Sequence, residues 1–335
     1  MSRTTLALVA LLAGLACYAL TGLAVRILTT RAVLDRPNER SSHAIPTPRG
    51  AGIAVLAAIL PALALIAALE GEIGRLAPVL IGIAALAALS FVDDLKGLAP
   101  GTRFIAQGVA VAGGILSLPE GPVTQGWLPF WLDRALVGIG WLWFVNLFNF
   151  MDGIDGITAV ETIAIGAGVA LVTSCVSDPG LVGSFGLVTA AAAIGFLPWN
   201  WHRAKIFLGD VGSVPLGYLA GFLLLSLAAY GFWAAAIALP LYYLVDATVT
   251  LLRRLFRGER VWEAHRQHWY QKAAAASRHD TVSFRIALAD GALIGIAAGS
   301  ACLSPVLVIL APVVIAALIW ELKRLARGKA APVRP

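Results

Sequence analysis

Charge is what this sequence has least of. Of its 335 residues only 13% are Asp, Glu, Lys or Arg, where a soluble domain carries about a quarter. With 59% hydrophobic residues and a mean hydropathy of +0.83, the chain cannot coat a soluble globule with polar surface, so it reads as an integral membrane protein. It also lacks any polar stretch long enough to enclose a separate soluble core, which makes residues 1–335 a single integral membrane domain. Cysteine is scarce: Cys17, Cys175 and Cys302 each fall in an apolar segment, without CxxC or ligand spacing. That excludes a disulfide framework or a zinc site and predicts small core residues instead. Internal repeats are missing too. The net charge of +6 does not mark a nucleic-acid partner, because the basic residues lie in the links between apolar runs.

What the chain has in abundance is apolar runs. They cover 6–28, 51–69, 76–92, 104–118, 136–151, 157–176, 181–199, 213–229, 232–252, 284–301 and 303–320. Most approach the roughly 20 residues that cross a bilayer, with 104–118 the shortest. The first is too long for the apolar part of a cleavable signal and is read as a retained span. An open sheet could not satisfy its backbone in lipid, so the predicted fold is all-α, a polytopic transmembrane helix bundle of about eleven spans. Lys and Arg concentrate in alternate links: Arg31 to Arg49, Lys96 and Arg103, Arg203 and Lys205, Arg253 to Arg285, and the tail with Lys323, Arg324, Arg327, Lys329 and Arg334. The alternation puts the amino terminus outside and the carboxyl terminus in the cytoplasm. The one long link, 253–285, mixes basic residues with Phe256, Trp262, Trp269 and Tyr270, as expected of a cytoplasmic loop lying against anionic lipid headgroups.

On that map every polar constellation falls on the cytoplasmic rim. The densest is Asn146-Leu-Phe-Asn149-Phe-Met-Asp152-Gly-Ile-Asp155-Gly156. Asn146 and Asn149 are three apart and share a helix face, with Asp152 continuing that line into a turn. A lone Asn in a membrane helix is interhelical glue, but two leading into Asp-Gly-Ile-Asp-Gly supply hard oxygens on a tightly turning backbone, able to hold cations or orient polyphosphate. Asp93 and Asp94 end the third run. Taken alone they could solvate a helix terminus, yet the negative end of the dipole disfavours them there and calls for a positive partner, a metal ion or Lys96 and Arg103. Gly209-Asp210-Val-Gly212-Ser213 opens the eighth run and by itself equally describes a capped turn or a phosphate-binding helix start. In Glu263-Ala-His265-Arg266-Gln-His268 two imidazoles share one helical face, suited to phosphate contacts or proton traffic. His202 and His279 are read as structural or interfacial.

The motifs occur in a telling order: Asp35-Arg-Pro-Asn-Glu-Arg40-Ser-Ser-His43 with Pro46-Thr-Pro-Arg-Gly50, then Asp93-Asp94, then Asn146-x-x-Asn149-x-x-Asp152-Gly-Ile-Asp155-Gly, then Phe207-Leu-Gly-Asp210-Val-Gly-Ser213, then Ala264-His265-Arg-Gln-His268. In this the chain resembles the polyprenyl-phosphate N-acetylhexosamine-1-phosphate transferases (glycosyltransferase family 4), closest to the branch that starts O-antigen repeat units and related to the enterobacterial common antigen and peptidoglycan translocase enzymes. The resemblance runs from about Asp35 to His268. It implies a multi-pass enzyme of the bacterial inner membrane. That enzyme would move a sugar 1-phosphate from a UDP-N-acetylhexosamine to undecaprenyl phosphate, releasing UMP with Mg²⁺ or Mn²⁺. It also implies membrane lipid as a partner and a homodimer as a candidate assembly. Carried over by motif, Asp210 and Asn149 would hold the metal. Asp93 and Asp94 match acids assigned to metal, lipid phosphate or base duty, and Asp152 and Asp155 the acids near the nucleotide. Asn146 would join the substrate site, with His265 and His268 contacting substrate phosphates. Charge and position alone nominate Arg103 and Arg266 for the diphosphate. Many family members carry Lys where this chain has Arg103, and the peptidoglycan enzyme's three adjacent histidines are missing, which disfavours a peptide-bearing muramyl substrate.

Two other classes fit the pattern less well. A secondary transporter would keep its acids near mid-membrane between related repeats, and a lipid-binding scaffold would need the basic link but none of the acids. The identity of the sugar is not written in these motifs.

Overall fold

The structure is a computed structural model describing residues 1–31, 34–35, 46–175, 180–260 and 265–328, with Leu95 described by its backbone alone. The described residues form thirteen α-helices. In chain order they are α1 (Arg3–Thr30), α2 (Gly52–Leu69), α3 (Ile73–Lys96), α4 (Pro100–Ile115), α5 (Phe130–Phe150), α6 (Ile157–Thr173), α7 (Val182–Asn200), α8 (Asp210–Ala229), α9 (Trp233–Ala238), α10 (Leu241–Phe256), α11 (Trp269–Ala276), α12 (His279–Cys302) and α13 (Ala311–Arg327). A 3₁₀ turn, Pro305–Leu310, leads into α13. The only strands among the described residues are β1 (Leu34–Asp35) and β2 (Thr47–Pro48), a short antiparallel pair.

Every apolar run is helical. Seven helices are long and apolar enough to cross a membrane: α1, α2, α3, α7, α8, α12, and α13 with its leading turn. The protein is therefore an all-α polytopic membrane protein, though several of the eleven expected spans are shorter or more polar than those seven. The ninth run is a correction, because it is two helices, α9 and α10, parted at Leu239 and Pro240. Proline at that point offers no N–H to continue the ladder.

At the centre stands α8, buried almost along its whole length. Glycine lets its neighbours approach closely, as small residues do between membrane helices. A Cβ on Gly217 would come within 2.8 Å of Phe148 on α5, and one on Gly221 within 2.4 Å of the Trp141 ring. The outer helices turn large apolar side chains outward, among them Leu8, Leu11, Leu12 and Leu15 of α1 and Phe104, Ile105 and Val109 of α4. Such contiguous exposed apolar surface is what a lipid-facing wall needs.

The cysteine expectation is overturned for two of the three. Cys175, just past α6, and Cys302, the last residue of α12, form a disulfide, while Cys17 is free and buried. The partners are 127 residues apart in sequence and are brought together by the packing of α6 on α12, which spacing does not encode. That end of the bundle is otherwise closed by hydrogen bonds: Asp133 accepts from the Thr124 N–H and hydroxyl, both at 2.7 Å, and Arg75 donates to the Ser117 carbonyl. The other end collects the starts of α2, α6, α8 and α12 and the ends of α3, α5 and α7.

Candidate active site

The site begins with a backbone seam. The Phe207 N–H donates to Pro48 O at 2.8 Å; Phe207 O accepts from the N–H groups of Gly50 and Ala51, and Leu208 O from that of Gly52, each at 3.0 Å. The seam is tight because Gly52 lies against Gly212, where a Cβ would fall 2.3 Å from the backbone. It delivers Arg49 to Asp210, the first residue of α8: guanidinium to carboxylate is 2.7 Å. The same guanidinium lies 3.6 Å from Asp94. In the sequence Arg49 stands out only as part of a motif, yet it is the cation that two of the predicted acids share.

At the end of α3 the expected positive partner is present. Asp93 accepts from Arg103 at 3.0 Å and from the Leu98 N–H at 2.6 Å, while Gly97 turns the chain in the left-handed region at φ 67°. Lys96 stays exposed. Arg103, nominated for the diphosphate, is thus already paired with an acid.

On α5, Asn146 donates to the Gln107 side chain of α4 at 2.8 Å, and Asn149 accepts from the Ser213 hydroxyl of α8. The helix stops at Phe150, so Asp152 sits in the turn beyond it, with its N–H on the Asn149 carbonyl at 3.2 Å. Its carboxylate accepts from Thr158 at 2.7 Å. Burial, reinforced by the charge of Asp210 and opposed by Thr158 and Arg49, pushes the Asp152 carboxyl up to about 6. Gly153 is required here, because a Cβ would lie 2.3 Å from the hydroxyl of Tyr270, which donates to Phe150 O. Asp93, Arg103, Asn146, Asn149 and Asp210 line one open pocket of about 1040 Å³, flanked by the apolar Phe104 and Phe150.

Asp155 belongs to a different group. Its carboxylate meets His202 at 2.7 Å and His279 at 3.3 Å. Burial works against its charge, but His279, His202 and the Ala204 N–H hold the carboxyl below its usual range. Next to it, Gly156 adopts φ +79° and donates to the Asn200 side chain at 2.9 Å. His202 and His279 thus act together on one of the predicted acids.

The histidine motif also needs correction. Residues 265–267 are irregular and His268 caps α11, so the two imidazoles do not share a helical face. Their ring centroids are nevertheless 4.9 Å apart. Arg266 between them is exposed. Burial, followed by the nearby His268, depresses the His265 imidazole to about 4, which leaves it neutral at pH 7. His268, only 1% exposed, is fixed by a residue the sequence reading missed. Asp246 of α10 is fully buried and accepts from His268 Nδ1 at 3.2 Å, from the N–H groups of Trp269 and Tyr270, and from Tyr242 and Thr250. The signal was available: a carboxylate inside an apolar run is a functional hypothesis by default. Glu263 and Ala264, residues 36–43 of the first motif, Trp262, and Lys329 and Arg334 of the tail lie outside the described residues.

Part of the chain is similar to a known family. Residues 76–228 match glycosyl transferase family 4. Over that stretch, a little under half of its length, the chain is similar to glycosyl transferase family 4. Asp93, Asp94, Asp152, Asp155 and Asp210 all fall within the matched stretch, whereas Arg49 precedes it and the histidine motif follows it. The chain is 29% identical to the decaprenyl-phosphate N-acetylglucosaminephosphotransferase of Mycobacterium leprae, over 80% of this chain and 76% of that one. It is 35% identical to the protein of the same name from Mycolicibacterium smegmatis, but spans only 58% of that protein's length. A probable undecaprenyl-phosphate N-acetylglucosaminyl 1-phosphate transferase of Bacillus subtilis is 27% identical over 83% of this chain and 80% of its own. A phospho-N-acetylmuramoyl-pentapeptide-transferase of Mycobacterium bovis is 33% identical over 51% and 61% respectively.

Proposed function

We propose that this protein transfers an N-acetylhexosamine 1-phosphate, GlcNAc or a 6-deoxy relative such as FucNAc or QuiNAc, from its UDP-sugar to undecaprenyl phosphate. UMP is released, and the product starts an O-antigen or related envelope glycan. The observation that carries the reading is the pocket between α3, α4, α5 and α8. It joins Asp93, Arg103 and Asp210, which would suit two phosphates once a divalent cation is bound, to apolar walls that suit a prenyl chain. The names of the mycobacterial and Bacillus relatives support the same chemistry.

The residues fit a hard divalent cation, Mg²⁺ or Mn²⁺, because Asp94, Asp152, Asp210 and the Asn149 amide offer only oxygen donors to it. Such an ion, when bound, offsets the repulsion between these acids and the substrate phosphates and stabilises charge on the departing UMP. Asp152 is suited to it: burial raises its carboxyl only to about 6, and a neighbouring cation favours the ionised form. Arg49 and Arg103 each hold an acid now and can turn toward a diphosphate. Asp93 works by positioning, since a phosphate monoester with a second pKa near 6 is largely dianionic at pH 7 without a base.

The enzyme acts in the bacterial inner membrane with its site on the cytoplasmic face. The distribution of Lys and Arg supports that orientation, and so does the disulfide, which joins the far ends of α6 and α12 and suits the oxidising side of a membrane. A transporter is disfavoured because the acids of the pocket, Asp93 and Asp210, lie at one rim, and the muramyl-pentapeptide reading because the triple histidine is missing.

The test is to incubate purified protein with undecaprenyl phosphate and a panel of UDP-sugars, measuring UMP release and the mass of the lipid product. One UDP-N-acetylhexosamine should give a product heavier by its sugar phosphate, and Asp210→Ala should lower the rate by about 10³-fold or more. Failure of every donor, or an Asp210→Ala protein as fast as wild type, removes the proposal.

A further inference from the structure

Three metal-capable side chains from three separate segments converge away from the pocket. Asp155 comes from the turn before α6, His202 from the loop after α7 and His279 from the first position of α12, and one ligand atom of each lies within 4.8 Å of the others. Both imidazoles present Nδ1 to the same carboxylate oxygen, Oδ2 of Asp155, at 2.7 and 3.3 Å. The side chains are 7%, 19% and 11% exposed for Asp155, His202 and His279, so the group is largely enclosed, with His202 its most exposed member.

Two contacts compete for His279 Nδ1: the Asp155 N–H at 3.4 Å and Asp155 Oδ2 at 3.3 Å. A protonated Nδ1 donates to Oδ2, while an unprotonated one accepts the N–H and turns a lone pair toward the carboxylate oxygen, an arrangement that a cation between the two atoms would satisfy. Around this core the supporting contacts are already made: the Ala204 N–H donates to Oδ2 at 3.3 Å and the Ser283 hydroxyl to the Asp155 carbonyl at 2.7 Å. Outer contacts of this kind orient metal ligands.

We propose that Asp155, His202 and His279 form a binding site for a divalent transition-metal ion of the Zn²⁺ class, separate from the oxygen-lined pocket and completed by water. Two imidazoles and one carboxylate are a borderline-soft donor set that prefers Zn²⁺ or Co²⁺ to Mg²⁺. The ion links the starts of α6 and α12 to the loop between α7 and α8, which leads through Phe207 to Asp210, so it steadies that approach to the active site. The proposal does not depend on which sugar is transferred, or on transfer at all.

The test uses full-length protein in detergent, stripped with a chelator, saturated with Mg²⁺ and titrated with Co²⁺. Wild type should bind one Co²⁺ with a visible d–d absorption that Zn²⁺ displaces. His202→Gln and His279→Gln should lose the absorption and weaken binding by about tenfold or more, while His265→Gln retains both. Absence of the band in wild type, or its persistence in the His202→Gln and His279→Gln proteins, overturns the site. If those two variants fail to fold, Zn²⁺ added to stripped His265→Gln protein must raise its Tm, and an unchanged Tm overturns it equally.

Discussion

At the end of the bundle that holds Cys175 and Cys302, three acids are matched to partners within the chain. Asp133 receives three donor groups, Glu72 pairs with Arg75, the amino terminus pairs with Glu70, and a covalent bond ties two helix ends. At the opposite end Asp94 and Asp210 lean on one guanidinium, that of Arg49, and Asp152 adds a third acid to the same neighbourhood. Both rims are built on small, apolar helices. They differ in how many acids share one cation, and acids that crowd a single guanidinium suit the proposed site for an outside cation and a phosphate donor.

That contrast predicts where damage should appear. Among changes outside the pocket itself, Asp246→Ala should be the most severe, slowing transfer by roughly 10–100-fold, as expected for a group that orients another. Because Asp246 acts through His268, its effect and that of His268→Gln should be far from additive in a double-mutant cycle of kcat/KM. Additive losses would mean that Asp246 only holds the fold. At the opposite rim Cys302→Ser should lower stability by about 2–4 kcal/mol, read as a fall in Tm, with kcat unchanged. A loss of turnover without a loss of Tm would break the division of labour between the two ends. The smallest effect concerns pH. With its carboxyl raised to about 6 from the ordinary 3.8, Asp152 holds its proton more tightly folded than unfolded. Its contribution is complete below the unfolded value and is lost as pH rises through about 6. Without divalent cation, Tm should decline across that window, and Asp152→Asn should flatten the decline. A slope identical to that of wild type would show that Asp152 ionises freely.

Much of this was legible in the chain. Apolar runs fix helices because lipid leaves the backbone no other way to satisfy itself, and each of the eleven runs is helical. The clustering of Asp93, Asp94, Asp152 and Asp210 at one end followed from placing them on that frame. What escaped depended on packing between distant segments. Nothing in the residues between them announces that Cys175 meets Cys302, 127 positions on. His202 and His279 sit in links of no special composition, and only the approach of α12 to the turn before α6 joins them on Asp155. The histidine motif has helical spacing, but the chain there is held by Asp246 rather than by helical bonds. Arg49 was in plain sight, and its role appeared only once residues 47–52 were seen joined to 207–208. The break at Pro240 was readable, since proline was there to be weighed against the apolar run around it.

The seam between those two stretches has a mechanical side. Four main-chain bonds and a glycine-on-glycine contact make residues 47–52 and 207–212 one stiff plate, although most of two hundred residues separate them in sequence. A pull on Arg49 by an arriving anion is therefore transmitted through the backbone to the first turn of α8, and the two charges must move as a unit or exchange partners without moving at all. Side-chain rotation, not loop opening, is the motion this arrangement leaves available at the mouth of the pocket.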